Sequence, residues 1–199
     1  MEPGRSPEAA ACRDGAADAD ERGLLDVARA SILHGVRDGC PLVPGANGLP
    51  EAWRAPAAVF VTLRETDGAL RGCIGSLEAT RPLAADVAVN AFRAAFADPR
   101  FAPLGEDEAA AVHIHLAVLG PLERIAVACE AELLAALRPG VDGVALRNGP
   151  SRATFLPAVW EQLPEPQRFV AALWGKAGLA PGHWSAELEL FRYAARSIG

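Results

Sequence analysis

Basic residues are too few in this chain for a protein that binds nucleic acid through its phosphate backbone. Arginine and lysine together number 19, against 25 aspartates and glutamates, and the formal net charge is −6. A nucleic-acid backbone is bound by a basic surface, and an anionic membrane surface also attracts basic residues. The charge balance therefore predicts neither a nucleic-acid partner nor a membrane partner.

The chain also has no apolar run long enough to cross a membrane and no N-terminal export signal. Its four cysteines are scattered without a CxxC pair, and a domain of this size does not need disulfides to be stable. They are Cys12, Cys40, Cys73 and Cys129. We expect a reduced, cytoplasmic protein in which Cys40 and Cys129 occupy ordinary loop or surface positions.

Several motifs that bind nucleotides or catalyse hydrolysis are missing. The sequence has no Gly-x-Gly-x-x-Gly after a strand, no P-loop, no Gly-x-Ser-x-Gly and no HExxH. These absences weigh against the common nucleotide-dependent and hydrolase functions, and the sequence predicts no cofactor.

The 199 residues, about half of them apolar, fit one domain preceded by a tail. Residues 1–21 are rich in Ala, Asp, Glu and Gly and have few large apolar groups, which predicts a mostly disordered segment. Residues 22–199 form the predicted domain. An apolar face with helical spacing begins at Leu24, and Gly39 ends that helix.

Two predicted β-hairpins organise the rest of the chain. The first joins strands 58–64 and 69–75 through Asp67-Gly68, and the second joins 144–147 and 153–156 through Asn148-Gly149. Helices are predicted near 82–96, 105–110, 130–137 and 165–177, and further strands at 112–118 and 188–193. Hairpins interspersed with helices favour an α+β fold with a mainly antiparallel sheet and flanking helices.

The stretch around Cys73 is the first candidate site. Gly72 and Gly75 weaken a strand, which indicates a bulge or the close approach of another group to the backbone. Arg71 lies two residues before Cys73, on the same face of a regular strand, where a guanidinium favours a thiolate. The alternative is that Cys73 is a small core residue in a strand bent by glycine.

Asp98 and Arg100 are the second candidate. Arg100 can bind a carboxylate or phosphate through two hydrogen bonds, but the two residues can equally form a rigid turn that ends the preceding helix. Glu78, just after the glycine-containing strand, is a candidate partner of Arg71 or an acid/base near Cys73. It can also be an exposed glutamate at the rim.

Two histidines share one face of a predicted strand. His113 and His115 have a spacing that can hold a metal ion, but no third ligand is evident in the sequence. We therefore predict no metal site and treat both as residues of a polar face.

The sequence also resembles a known family. The segments that carry the resemblance are residues 59–63 (VFVTL), Leu70-Arg71-Gly72-Cys73-Ile74-Gly75 with Leu77-Glu78, Arg81-Pro82-Leu83, residues 94–104 (AAFADPRFAPL), Asp142-Gly143, Phe155-Leu156-Pro157 and Lys176-Ala177-Gly178-Leu179. Together they look like the signature of the AMMECR-type domain, whose bacterial members are called AmmeMemoRadiSam system protein A. The likeness covers nearly everything after the tail.

This resemblance implies an α+β fold of two unequal lobes in one chain, and a system that includes a Memo-type protein and a radical-SAM protein. One segment departs from the family pattern, since residues 158–164 are shorter and differently arranged than the Gly-Trp-containing segment of many members.

Two functions are compatible with these residues. In the first, Cys73, Arg71 and Glu78 act on a small anionic substrate, with Gly72, Gly75, Asp98 and Arg100 binding it. In the second, the same surface belongs to a non-catalytic adaptor that binds a partner protein.

Overall fold

A computed structural model of the chain describes the backbone from residue 7 and the side chains from residue 21. Helix α1 spans Pro7–Asp38, so it begins before Leu24, where the sequence placed the start of ordered structure. The predicted disordered tail, residues 1–21, falls almost entirely on residues outside the fully described part and stays a prediction. The described face of α1 buries Leu24, Ala28 and Ile32, as the helical spacing predicted.

The elements follow one another in an alternating order. After α1 come α2 (Glu51–Arg54), β1 (Ala58–Arg64), β2 (Leu70–Gly75), α3 (Leu83–Phe96), α4 (Glu106–Ala111), β3 (His113–Leu119), β4 (Glu123–Arg124) and α5 (Glu130–Ala136). The remainder comprises β5 (Gly143–Asn148), β6 (Ser151–Phe155), a 3-10 helix (Pro157–Glu161), α6 (Pro166–Lys176), β7 (Leu188–Tyr193) and β8 (Ala195–Ile198). The α+β class predicted from the hairpins is confirmed.

The chain divides into two compact units. Unit 1 contains the described residues up to Val118 and the segment Arg196–Gly199, and unit 2 contains Leu119–Ala195. The two lobes implied by the family resemblance are therefore present, and they are unequal in size.

Unit 1 is built on a four-stranded sheet with the order β2-β1-β3-β8. The predicted first hairpin is confirmed, because β1 and β2 pair antiparallel with Thr62 opposite Cys73. Helix α3 covers this sheet with a nearly continuous buried face that includes Val87 and Ala91. Strand β2 lies at the edge of the sheet, and this position determines the environment of Cys73.

A buried carboxylate connects β1, β2 and α3. Asp86 of α3 is 1% exposed and accepts hydrogen bonds from the backbone N–H of Val59 at 3.0 Å and from the Ser76 hydroxyl at 3.0 Å. Arg81 adds a charged hydrogen bond from Nη2 to Asp86 Oδ1 at 2.7 Å. Arg81 belongs to the family-like Arg-Pro-Leu segment, and here its guanidinium holds the start of α3 against the hairpin.

Unit 2 is built on a second sheet, with the order β4-β7-β5-β6. The second predicted hairpin is confirmed, because β5 and β6 pair antiparallel from Val144 opposite Phe155 to Asn148 opposite Ser151. The core beneath this sheet includes the residues that the helical spacing of α6 placed there, namely Phe169, Val170, Leu173 and Trp174.

The segment that departs from the family pattern belongs to this core. Trp160 of the 3-10 helix is 3% exposed, and its ring stacks on that of Phe169 with the centroids 3.8 Å apart. Its indole N–H donates to the backbone carbonyl of Asp142 at 2.7 Å, which satisfies the one polar atom of the side chain. Trp160 therefore anchors the segment to the second hairpin.

The sequence did not predict α2, β4, β8 or the 3-10 helix. Strand β4 has only two residues, and the pattern of β8 does not alternate, so neither carries a periodic signal. Among the residues described by the structure, no helix is long and apolar enough to cross a membrane.

Candidate functional site

Cys73 lies in the middle of the edge strand β2, and its thiol is half-buried. Its Sγ is 3.4 Å from the hydroxyl of Thr62, the residue opposite it on β1. The thiol is thus neither enclosed in the core nor freely exposed, and the outcome lies between the two interpretations of Cys73 that the sequence left open.

The loop after α3 covers the outer edge of β2 with two side chains. Asp98 Oδ2 accepts the backbone N–H of Cys73 at 2.9 Å, and Arg100 Nη2 donates to the Cys73 carbonyl at 3.4 Å. A neighbouring strand would make the same two kinds of bond to an edge residue. An acidic and a basic side chain therefore take the place of a strand partner at this position.

Asp98 and Arg100 are also bound to each other. Arg100 donates from Nε to Asp98 Oδ1 at 2.9 Å and from Nη2 to Oδ2 at 2.7 Å, a two-bond arrangement. The backbone N–H of Arg100 also reaches Asp98 Oδ1, at 3.1 Å. The rigid turn that the sequence offered as one alternative is present, and the same turn holds Cys73.

Asp98 and Arg100 each stabilise the charged form of the other. The Arg100 guanidinium holds the pKa of the Asp98 carboxyl well below its usual range, and the Cys73 N–H acts in the same direction, while burial opposes both. Asp98 in turn raises the pKa of Arg100, against the opposing effect of burial. Arg100 is thus a cation close to the thiol.

Arg71, which the sequence placed beside Cys73, is committed to another partner. It is 8% exposed, and its Nε and Nη2 donate to the two carboxylate oxygens of Glu108 at 3.0 and 3.3 Å. Arg71 lowers the pKa of Glu108, and the Gly105 N–H contributes in the same direction. Nη1 of Arg71 is buried and has no hydrogen-bond partner within the described part of the chain.

Glu108 is a residue of this site that the sequence did not indicate. It lies in α4, 37 residues after Arg71, and its side chain also accepts the N–H of Gly105 at 3.0 Å to cap that helix. A glutamate three residues after a helix cap is a recognisable capping signal. Nothing in the sequence, however, indicated that α4 returns to β2.

Phe101 joins the two arginines. Its ring centroid is 5.8 Å from the guanidinium carbon of Arg71 and 5.3 Å from that of Arg100. Both distances suit a cation–π contact. The site is therefore a connected group in which Glu108, Arg71, Phe101, Arg100 and Asp98 follow one another beside the strand that carries Cys73.

Both glycines of β2 lie where a side chain would not fit. A Cβ on Gly72 would collide with the carbonyl oxygen of Ala94 in the last turn of α3, and a Cβ on Gly75 would collide with the ring of Phe60. Close approach of other groups to the backbone, which the sequence indicated, is therefore what the structure shows at both positions.

The remaining candidates are Glu78 and the two histidines of β3. Glu78 is exposed in the segment that follows β2, while the carboxylate bound to Arg71 is that of Glu108. His113 and His115 are both exposed on β3. Within the described residues, no group of three or more His, Cys, Asp or Glu side chains is arranged to hold a metal ion.

Comparison with known proteins identifies the family. The AMMECR1 family model matches residues 25–198, which is nearly all of the described chain. The chain belongs to the AMMECR1 family. The residues that carried the resemblance in the sequence, from the Leu-Arg-Gly-Cys-Ile-Gly strand to Lys176, all lie within the matched range.

Relatives of this AMMECR1-family chain occur in archaea and bacteria. A protein of Methanothermobacter thermautotrophicus is 34% identical over 177 residues, which are 88% of this chain and 91% of that protein. A protein of Thermotoga maritima is 36% identical over 160 residues, covering 79% of this chain and 86% of its own length. The crystal structure of uncharacterized protein PH0010 from Pyrococcus horikoshii superposes with a TM-score of 0.81 at 29% identity, over 90% of each chain.

Proposed function

We propose that this AMMECR1-family domain binds a small ligand with a carboxylate or phosphate group beside Cys73, and that Arg100 is the cation that receives it. The observation that carries the proposal is the way Arg100 is held. Asp98 fixes its Nε and Nη2, yet 53% of the side chain stays exposed. A guanidinium already oriented by a neighbour loses less side-chain entropy when it binds an anion.

In this proposal Cys73 is the reactive group, acting as a nucleophile or as an acid/base on the bound substrate. Gly72 and Gly75 let the strand pass close to α3 and to Phe60, and Asp98 fixes the backbone at Cys73. Arg71 positions Phe101 and, through it, Arg100. Glu78 is the exposed acid nearest in sequence and is assigned proton transfer.

The proposed partners are a Memo-type protein and a radical-SAM protein, and the proposed location is the cytoplasm. The resemblance to AmmeMemoRadiSam system protein A supports this setting. No basic surface for nucleic acid and no membrane attachment are part of the proposal, since acidic residues exceed basic ones by 25 to 19.

A non-catalytic adaptor is the second candidate function, and one observation favours it. Leu70 is 37% exposed at the start of β2, the strand whose Cys73 carbonyl accepts a hydrogen bond from the exposed Arg100. Arginine is enriched in protein interfaces, and an exposed large apolar side chain on the same strand adds apolar surface to the patch. In this case the patch binds a partner protein, and Cys73 has a structural role.

Two alkylating reagents that differ in charge test the anion site. Iodoacetate carries a carboxylate and iodoacetamide is neutral, and their rates at Cys73 are measured by mass spectrometry of the cysteine-containing peptides. The ratio of the iodoacetate rate to the iodoacetamide rate at Cys73 should exceed that of 2-mercaptoethanol by about threefold, as expected for one nearby cation at the protein surface.

The variants Arg100→Gln and Arg64→Gln compare the loss of a positive charge at the site with the loss of one elsewhere, on the hairpin that carries Cys73. Arg64 is an exposed arginine of the same hairpin, bonded to the carbonyl of Gly68. Arg64→Gln should preserve the ratio, whereas Arg100→Gln should reduce it to that of the free thiol. A ratio at Cys73 that Arg100→Gln leaves unchanged overturns the ligand proposal.

The adaptor function is tested by capture of the Memo-type and radical-SAM proteins. Leu70→Asp and Arg100→Gln should each reduce capture at least tenfold if the patch is the interface, which corresponds to about 1.4 kcal/mol. Capture that neither variant changes removes the adaptor function at this surface.

A further inference from the structure

A second cysteine, distant in sequence from the Cys73 site, has the neighbours of a reactive thiol. Helix α1 ends at Asp38, and Gly39 adopts a left-handed conformation with φ of +69°. Its N–H bonds to the carbonyl of Gly35 at 3.0 Å, which turns the chain back along the helix. Cys40 is thereby placed against the side of the last turn of α1.

His34 is the residue of α1 that Cys40 meets. Cys40 Sγ is 3.9 Å from His34 Nδ1, and the backbone carbonyl of Cys40 is 3.0 Å from the same nitrogen. The other ring nitrogen, Nε2, is 3.3 Å from Asp38 Oδ2, one helical turn further on. A thiol, an imidazole and a carboxylate therefore follow one another in the order of nucleophile, base and orienting acid.

These contacts suit a positively charged His34 ring. When both ring nitrogens carry a proton, Nε2 donates to Asp38 Oδ2 and Nδ1 donates to the Cys40 carbonyl, so each N–H of the imidazolium has an acceptor. A positive ring beside the sulfur stabilises the thiolate, which is the nucleophilic form of cysteine.

The sulfur is also accessible. Cys40 is exposed, and no atom outside the two neighbouring residues lies within 4 Å of a Cβ added to Gly39. The sequence predicted an ordinary loop or surface position for Cys40. Its exposure agrees with that assignment, but the six-residue separation from His34 concealed their contact.

We propose that Cys40 is a thiol-modification site, activated by His34 and Asp38, that reacts with low-molecular-weight disulfides. The Cys40 thiolate attacks one sulfur of the disulfide, a new S–S bond forms, and the original S–S bond breaks. The leaving thiolate takes up a proton from the His34 ring or from water, so that one thiol and one disulfide give one thiol and one mixed disulfide.

Residue-resolved thiol reactivity of the full chain tests this site. Oxidised glutathione and, separately, iodoacetamide are added to the reduced protein, and mass spectrometry follows each cysteine over time. Cys40 should react about tenfold faster than Cys129, an exposed cysteine of the same chain, because His34 and Asp38 are placed to stabilise the attacking sulfur. Equal rates at the two cysteines would count against activation of Cys40.

The variant His34→Asn provides the decisive comparison. Its amide can still donate to the Cys40 carbonyl but cannot carry a positive charge, so the rate at Cys40 should fall to that of Cys129. Asp38→Asn should give an intermediate rate, and the melting temperature of each variant reports whether α1 is intact. Equal Cys40 rates in the wild type and in a folded His34→Asn variant overturn the proposal. The rates at Cys73 are read from the same spectra, so failure at Cys40 is distinguishable from failure at the Cys73 site.

Discussion

Gly72 shows how one residue without a side chain determines the position of a whole strand. It is buried, and an added Cβ would meet backbone atoms of Ala94, with the carbonyl carbon only 3.1 Å away. Backbone cannot rotate out of the way as a side chain does. The approach of β2 to α3, and with it the placement of Cys73, therefore depends on this glycine.

Gly72→Ala should destabilise the protein by about 1–3 kcal/mol, the range for overpacking a well-packed interior. The measurement is the free energy of unfolding from urea titration. The matched control is Gly175→Ala in α6, where a Cβ meets nothing within 4 Å, and it should be neutral or slightly stabilising because alanine favours helix. Equal stability of the two variants would contradict the packing role of Gly72.

Strand β2 illustrates how an edge strand is protected by side chains. Its outer side at Cys73 is bonded to Asp98 and Arg100, both from the loop after α3. Unpaired N–H and C=O groups at a sheet edge are sites at which other chains can add. The Asp-Pro-Arg turn therefore closes the edge at the position where the candidate thiol lies.

Asp98→Ala should expose the Cys73 amide to exchange. The N–H loses its acceptor, so its hydrogen–deuterium exchange, measured by NMR, should accelerate at least tenfold, which corresponds to about 1.4 kcal/mol of lost protection. The amide of Ser76, which bonds to the carbonyl of Val59, is the internal control and should change little.

The same carboxylate makes a pH-dependent contribution to stability. Because the pKa of Asp98 is lower in the folded protein than in the unfolded chain, its contribution is complete above the ordinary carboxyl value of about 4 and is lost as the pH falls below it. The free energy of unfolding of Asp98→Asn, measured by urea titration at several pH values, should therefore fall less steeply below about pH 4 than that of the wild type. An equally steep fall in the variant would contradict this assignment.

Local patterns predicted most of the elements, and long-range contacts account for what they missed. The β-branched and aromatic residues of 58–64 and the Asp67-Gly68 turn were sufficient for the first hairpin, whose strands are Ala58–Arg64 and Leu70–Gly75. The pairing of Arg71 with Glu108 joins residues 37 apart, and no local pattern contains that information. His34 and Cys40 are only six residues apart, but their contact depends on the turn at Gly39, which lies outside the helical pattern.

The two units have separate cores. The core of unit 1 includes Val59, Leu63 and Leu116, and that of unit 2 includes Leu146 and Trp174. Unit 1 also recruits Ile198, 3% exposed, from the end of the chain. The first core is thus completed by a residue that follows the whole of unit 2 in sequence.

Ile198→Ala should destabilise unit 1 by about 2–5 kcal/mol, the usual cost of removing a buried isoleucine side chain down to alanine. Hydrogen-exchange mass spectrometry should show lost protection in peptides from β1 and β3, with a smaller change in those from β5 and β7. Ser197→Ala, at an exposed neighbouring position, is the matched control. Equal losses in both sheets would indicate a single cooperative core.

The late position of β8 has a consequence for how the chain is made. Unit 2 is one continuous segment, Leu119–Ala195, so all of its residues have been synthesised before Arg196 is added. The four-stranded sheet of unit 1, by contrast, contains strand β8 (Ala195–Ile198), which follows nearly all of unit 2 in sequence. During translation, the N-terminal unit, which is begun first, therefore cannot complete its sheet until the whole of unit 2 has been synthesised.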